Sequence, residues 1–258
     1  MAMFYVMLVL GVLGGFLSGL LGLGGAIIMI PLMLLVPKIL GLGALSMKAV
    51  AGLSMIQVVF ASLSGVIRHR KNKFVNMKLL IYLGVSVAIG SSFGSVISKY
   101  MSNRDLLIIF GSIAVVAAVM MLIPQKGDED ISAPDAIAFN RPLAVVIGLI
   151  IGTLAGMVGA GGGFILIPIM LYVLKIPLRV TIGTSLGIVL IGAVMGAIGK
   201  IYTGQVDWLL ALALIVSSIP SAQLGSIVSR KTSAVVLRYS LLAIIVFTCV
   251  QIWHKILA

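Results

Sequence analysis

The chain has 258 residues, of which 61% are hydrophobic and only 9% charged, with a formal net charge of +12 and a mean hydropathy of +1.29. Soluble domains are about 45–50% apolar and about 25% charged. No soluble core could enclose this much apolar surface, so the composition describes an integral membrane protein. The apolar runs reach about twenty residues without period-2 alternation, which predicts helices and excludes an outer-membrane barrel. The positive charge fits loops that set topology and meet anionic lipid rather than nucleic acid. Cys249 is alone and His69 and His254 lie outside or at the edge of apolar runs, so no disulfide, zinc spacing or cofactor is expected.

In chain order, the first charge is Lys38. The uncharged start and long apolar run differ from a secretory signal, and the segment is expected to belong to the folded protein. Met3–Val36 is 34 residues, about 51 Å as a straight helix, against a hydrocarbon core of about 30 Å. It must bend back or break, and "GLLGLGGAIIMIP" (Gly19–Pro31) is where it would do so. Ala49–Ile67 follows, then the basic loop "RHRKNKFVNMK" (Arg68–Lys78), then Leu79–Ser98 and Leu106–Ile123. "PQKGDEDISAPDAIAFNR" (Pro124–Arg141) holds four of the six acidic residues and reads as a solvated linker. The second half offers Pro142–Leu174, Val180–Ile198, Trp208–Ser229 and Val235–Ile252, and its first run contains "GMVGAGGGFILIP" (Gly156–Pro168).

The halves are copies of one plan. Gly15, Gly19, Gly22, Gly24, Gly25, Pro31 and Met33 fall on Gly152, Gly156, Gly159, Gly161, Gly162, Pro168 and Met170, an offset of 137. After the next loop the offset becomes 131: Gly52, Ser54, Gly65, Gly94 and Ser95 fall on Gly183, Ser185, Gly196, Gly225 and Ser226. The expected organisation is a first repeat at 1–123, a cytoplasmic linker at 124–141 and a second repeat at 142–258, together one transmembrane domain.

Charge decides between two topologies. With one crossing per long segment the halves are parallel, and the eighteen basic residues divide evenly between the two faces. With each long segment broken into an out-and-back pair, the halves are inverted and twelve basic residues fall inside against six outside, as the positive-inside rule requires. The expected fold is therefore an all-α polytopic membrane protein of two inverted repeats. Each has a Gly-broken hairpin or discontinuous helix followed by three transmembrane helices. The arms after the glycines, Ile27–Val36 and Phe164–Leu174, are short enough to reach only partway across.

Inverted repeats with discontinuous helices are a plan of secondary transporters, whose substrates bind near the midplane. A break exposes backbone N–H groups, which must face protein or a wet cavity and carry partial positive charge that favours an anion. Here the new N-termini would lie at Gly24, Gly25 and Ala26 and at Gly161, Gly162 and Gly163. Gly11, Gly15, Gly19, Gly148, Gly152 and Gly156, at small-xxx-small spacing, read instead as helix-packing positions. Polar lining is expected from Ser54, Gln57, Thr184, Ser185, Ser91, Ser92, Ser221 and Gln223. A membrane serine often bonds its own helix, whereas the amides of Gln57 and Gln223 are harder to satisfy that way. No Asp, Glu, Lys or Arg falls deep in an expected span, so neither a carboxylate relay nor an enzyme's acid, base or metal ligand is indicated. Neutral donors and helix ends, each worth about 0.3–1 kcal/mol, would hold an anion weakly, as suits export. A passive anion channel with the same lining is the alternative.

The residues "GFLSGLLGLGGAIIMIPLM" (Gly15–Met33) and "GTLAGMVGAGGGFILIPIM" (Gly152–Met170), followed by "KAVAGLSM" (Lys48–Met55) and "RVTIGTSL" (Arg179–Leu186), resemble the TauE/SafE sulfite exporter family. The resemblance covers almost the whole chain. It implies export of a small sulfur oxyanion or organosulfonate, such as sulfite or sulfoacetate, across the bacterial inner membrane. It places Gly24, Gly25, Gly161, Gly162, Thr184 and Ser185 in the family's motifs. Leu53 stands where the second copy has Thr184, so the lining of the two halves is expected to be unequal. Partners would be the anion and membrane lipids, with the anion's identity, the coupling ion and the oligomeric state left open.

Overall fold

The computed structural model describes residues 1–22, 24–69, 75–123, 137 and 139–257. Most of the basic loop 68–78 and of the linker 124–141 lies outside them. All regular structure among the described residues is helical: α1 (Ala2–Leu21), α2 (Ala26–Ile39), α3 (Met47–His69), α4 (Met77–Ile97), α5 (Asn103–Leu122), α6 (Arg141–Val158), α7 (Gly163–Tyr172), α8 (Leu178–Tyr202), α9 (Trp208–Lys231) and α10 (Ala234–Leu257). Eight are long and apolar enough to cross a membrane; α2 and α7 are the short ones.

Both long apolar segments are broken. α1 ends at the left-handed Gly22 (φ 74°) and α2 starts from the left-handed Gly25 (φ 81°). α6 and α7 are separated in the same way by Gly159 and Gly162, each at φ 82°. Only glycine adopts this backbone without a Cβ penalty. The chain then turns back on itself: a Cβ at Gly25 would strike the carbonyl oxygen of Gly14, and the Met29 side chain lies against Gly14. With 14 and 10 residues, α2 and α7 are about 21 and 15 Å long, too short to span. Both are buried along most of their length, which keeps their broken ends out of lipid.

Side-chain-free stripes set the closest helix contacts. Gly11, Gly15 and Gly19 of α1 lie on Ser217, Ser218 and Ala222 of α9, and Gly148, Gly152 and Gly156 of α6 lie on Ser86, Val87 and Ser91 of α4. Both contacts are parallel. α3 and α8 run antiparallel through the centre, with Gly52 beside Gln205 and Gly65 beside Leu186. α5 and α10 are antiparallel too: Arg238, at the start of α10, donates to the carbonyl of Ile123 at the end of α5, while Gly111 meets Trp253 near the far end.

Proline removes a helical donor and leaves the carbonyl four residues back without a partner. In α2 that carbonyl belongs to Ile27, four residues before Pro31, and Thr248 Oγ1 of α10 donates to it at 3.0 Å.

Candidate functional site

The two breaks meet in the middle of the molecule. A Cβ at Gly24 would come within 2.8 Å of Val58 Cγ1 and 2.9 Å of Val189 Cγ1. One at Gly161 would come within 2.7 Å and 3.3 Å of the same two atoms. Val58 and Val189 are fully buried and are equivalent under the 131 offset. Four repeat-related residues, two from each half, thus share one centre, with the N-termini of α2 and α7 beside it.

Those N-termini are open. Asn76, Ser102, Asn140 and Asp207 cap α4, α5, α6 and α9 by accepting a bond from a first-turn amide. Gly25 and Gly162 have no side chain to do so. The first intrahelical bonds run from Met29 N to Gly25 O and from Leu166 N to Gly162 O. The amides of Ala26, Ile27 and Ile28, and of Gly163, Phe164 and Ile165, precede them and have no acceptor within their helices.

The side chains named from sequence divide into three groups. Ser54 and Ser185 reach across the halves: Ser54 Oγ donates to Gly159 O at 2.6 Å, and Ser185 Oγ to Gly22 O at 3.0 Å. Each hydroxyl therefore ties down the last carbonyl before the other half's break. Thr184 Oγ1 accepts from the backbone N–H of Asn76 at 3.0 Å, so it steadies the loop before α4. Ser92 and Ser221 donate within their own helices, to Ala88 O and Ser217 O. Gln223 is exposed on α9.

Gln57 and Ser91 differ from all of these. Gln57 is fully buried and neither amide atom has a hydrogen-bond partner among the described residues; the same holds for Ser91 Oγ, on a residue 1% exposed. An unpaired buried polar group costs about 1–3 kcal/mol. Gln57 Nε2 points at the first break, 3.0 Å from where a Cβ on Gly14 would lie and 3.2 Å from one on Gly25. Its repeat equivalent is Ile188, so this amide breaks the symmetry of the site. Among the described residues the centre thus combines two helix N-termini without a side-chain cap, a buried amide without a partner and no carboxylate.

Lys200 is the residue that the sequence missed. The apolar run ends at Ile198, which puts the lysine outside the span. α8 instead continues to Tyr202, and Lys200 is fully buried. Its Nζ donates to Ser98 Oγ at 2.6 Å, Met157 O at 3.0 Å and Gln205 Oε1 at 3.0 Å. Lys200 thus lies in the last turn of α8, outside the depth of the span, yet folds inward instead of leaving for water. Hydropathy alone could not find this, because it cannot tell a lysine leaving a helix end for water from one folded inward.

A cavity of about 350 Å³ opens elsewhere, between α2 and α10, lined by residues including Leu34, Lys38, Ile252 and Lys255. It touches neither break.

The family model of the sulfite exporter TauE/SafE matches residues 7–252. The chain belongs to the TauE/SafE family. Membership makes this protein a membrane transporter and not an enzyme. Among similar proteins, "Probable membrane transporter protein YunE" of Bacillus subtilis is 25% identical over 88% of this chain and 89% of its own. A "Probable membrane transporter protein" of Methanocaldococcus jannaschii is 28% identical over 93% and 91%, and YdhB of Bacillus subtilis is 28% identical over 92% and 94%. No solved structure matches the chain.

Proposed function

We propose that this TauE/SafE member is a secondary transporter that exports a small sulfur-containing anion across the bacterial inner membrane by alternating access. Sulfite, or an organosulfonate such as sulfoacetate, is the substrate. It binds where the N-termini of α2 and α7 converge, near the midplane. The observation that carries this reading is the shared Val58–Val189 centre at both glycine breaks, with Gln57 beside it unpaired. The open amides supply partial positive charge, and Gln57 Nε2 donates to one oxygen of the anion. Thr184, Ser185 and Ser54 hold the breaks in shape, while Ser91 lies further along the route.

The halves work as inverted copies, 1–123 and 142–258, joined by the linker 124–141 on the cytoplasmic side. The antiparallel course of the equivalent pairs α3 and α8, and α5 and α10, supports this. Alternating access then consists of one half rocking against the other about the fixed centre.

The test is counterflow in proteoliposomes of the purified chain. External labelled sulfite should accumulate against internal unlabelled sulfite, and Gly162→Leu should abolish the exchange while the protein still purifies as a folded species. Downhill flux without exchange identifies a pore and ends the carrier reading. Normal exchange by the Gly162→Leu variant ends the assignment of the site.

A further inference from the structure

The cavity between α2 and α10 is separate from both breaks. The two helices run in the same direction. They are tied at one end by the bond from Thr248 Oγ1 to the Ile27 carbonyl, at 3.0 Å, and at the other Lys38 is the charge that acts on Lys255. Between those points they part around about 350 Å³, within the range of about 300–1,000 Å³ for ligand sites. α2 carries both Pro31 and Pro37 along this stretch, and proline inside a helix kinks it.

Its wall changes character along its length. Pro31, Leu34, Leu35 and Ile252 make an apolar stretch. Lys38, Gln251, His254 and Lys255 gather at the helix ends, and none of their side chains has a hydrogen-bond or ion-pair partner among the described residues. Asp105 and Asp207, the acidic residues among those described, cap α5 and α9 instead. Helix C-termini attract cations, which accounts for a lysine on each helix but not for two like charges above an apolar groove. The equivalent pair, α7 and α5, keeps Lys175 for Lys38 but lacks the rest: Met120, Ile123 and Pro124 answer to Gln251, His254 and Lys255 at the 131 offset. There Phe110 and Phe164 pack edge to face, with centroids 5.5 Å apart.

The groove lies where lipid can reach it. α10 is the least buried of the eight spans, and Leu35, on the cavity wall, is 36% exposed. From Pro31 to Lys38 the wall rises about 10 Å, about two thirds of one leaflet of a core about 30 Å thick. Trp253, next to His254 in sequence, is a residue type of the membrane–water interface. We propose that this groove binds one anionic phospholipid, with its phosphate between Lys38 and Lys255 and the start of an acyl chain along Pro31, Leu34, Leu35 and Ile252. A free anion would meet the lysines and leave the apolar wall bare. A zwitterionic lipid would fill the wall but bring a cation of its own to the lysines. An anionic lipid satisfies both ends. Because α2 starts at the first break, the bound lipid braces that half-helix against α10.

The experiment takes the full chain, delipidated in a neutral detergent, and follows its melting temperature as phosphatidylglycerol, phosphatidylcholine or free glycerol phosphate is added. Wild type should melt higher with phosphatidylglycerol than with phosphatidylcholine at equal mole fraction, and should not respond to glycerol phosphate. K38Q/K255Q should weaken the apparent affinity for phosphatidylglycerol by about thirtyfold, the combined effect of two lysines at an anionic lipid. Both lysines are exposed, so this variant should melt no lower than wild type in lipid-free detergent. L35W, which fills the groove and keeps both charges, should lose the shift as well. K99Q is the control: Lys99 is exposed at the same end of the bundle, where Lys48 donates to its carbonyl, and K99Q should respond as wild type does. Equal shifts from the two lipids, or an unchanged affinity in K38Q/K255Q, overturn the proposal. So does a loss in K99Q as large as in the double variant, the mark of diffuse attraction to the surface, and so does a shift reproduced by glycerol phosphate, the mark of a free-anion site. An L35W protein that keeps the full shift places the lipid on the lysines without entering the groove, and the proposal falls.

Discussion

At the scale of single residues, polar side chains in this bundle either hold the breaks in place or are left open. Ser54 and Ser185 form a reciprocal pair, each closing the C-terminal turn ahead of the other half's break. Ser54→Ala and Ser185→Ala should each lower stability by about 1 kcal/mol, near the range measured for membrane side-chain hydrogen bonds, as read from denaturant titration in micelles. Thr248→Val should cost a similar amount, because it leaves the Ile27 carbonyl without the donor that replaces the one lost to Pro31. Gln57→Leu should do the opposite. Removing an amide with no partner relieves about 1–3 kcal/mol of unpaired burial, so the melting temperature should rise while sulfite efflux falls. A Gln57→Leu protein that exports normally would reduce Gln57 to a packing residue. Sequence could name Gln57 as hard to satisfy, yet gave no means to separate it from Gln223, which has the same chemistry on the exposed side of α9.

At the scale of elements, the glycines separate into two kinds. Those on α1 and α6 are ordinary helix residues whose missing side chains allow backbone-to-backbone approach. A Cβ on Gly15 would lie 2.5 Å from Ser218 O, and one on Gly152 2.8 Å from Val87 Cα. Gly15→Leu or Gly152→Leu should overpack the helix pair at a cost of about 1–3 kcal/mol or more, visible as lost folded yield. Gly24 and Gly161 have positive φ, 75° and 61°, as well as the shared valine neighbours. Alanine at either should cost about 1–2 kcal/mol in backbone strain before any packing penalty, and should reduce efflux more than its stability loss accounts for. The existence of the breaks was legible because a 34-residue apolar run cannot fit a bilayer unbroken and the glycine clusters supply the only cheap place to turn. The reversal of α2 along α1 followed from charge rather than length: length demands an interruption without fixing the angle after it, whereas an out-and-back pair is what places twelve of the eighteen basic residues on one side.

At the scale of the whole molecule, the central question is how the two copies are turned relative to each other. In a Cys249→Ser background, a cysteine at Lys255 should react with an impermeant thiol reagent from outside the cell, and one at Lys175 only after the cytoplasmic face is opened. Parallel halves would give the reverse at both positions. Arg141, cytoplasmic in either arrangement, serves as the reference. The sides of the bundle also differ chemically. Gln57 answers to Ile188 and Thr184 to Leu53, so the first half brings the amide to the centre and the second brings the threonine that holds the α4 loop.

By itself the sequence determined the solvent, the helical class, the doubling of the plan and the two points of interruption. Each follows from composition, run length or repeated spacing, which are properties of the chain before it folds. The tertiary structure alone decided that Gly24 and Gly161 meet on one pair of valines, that Ser54 and Ser185 bond across the halves, and that Lys200 turns inward. Those outcomes depend on which helix faces lie together, and residues more than a hundred positions apart in sequence carry no local trace of their contact.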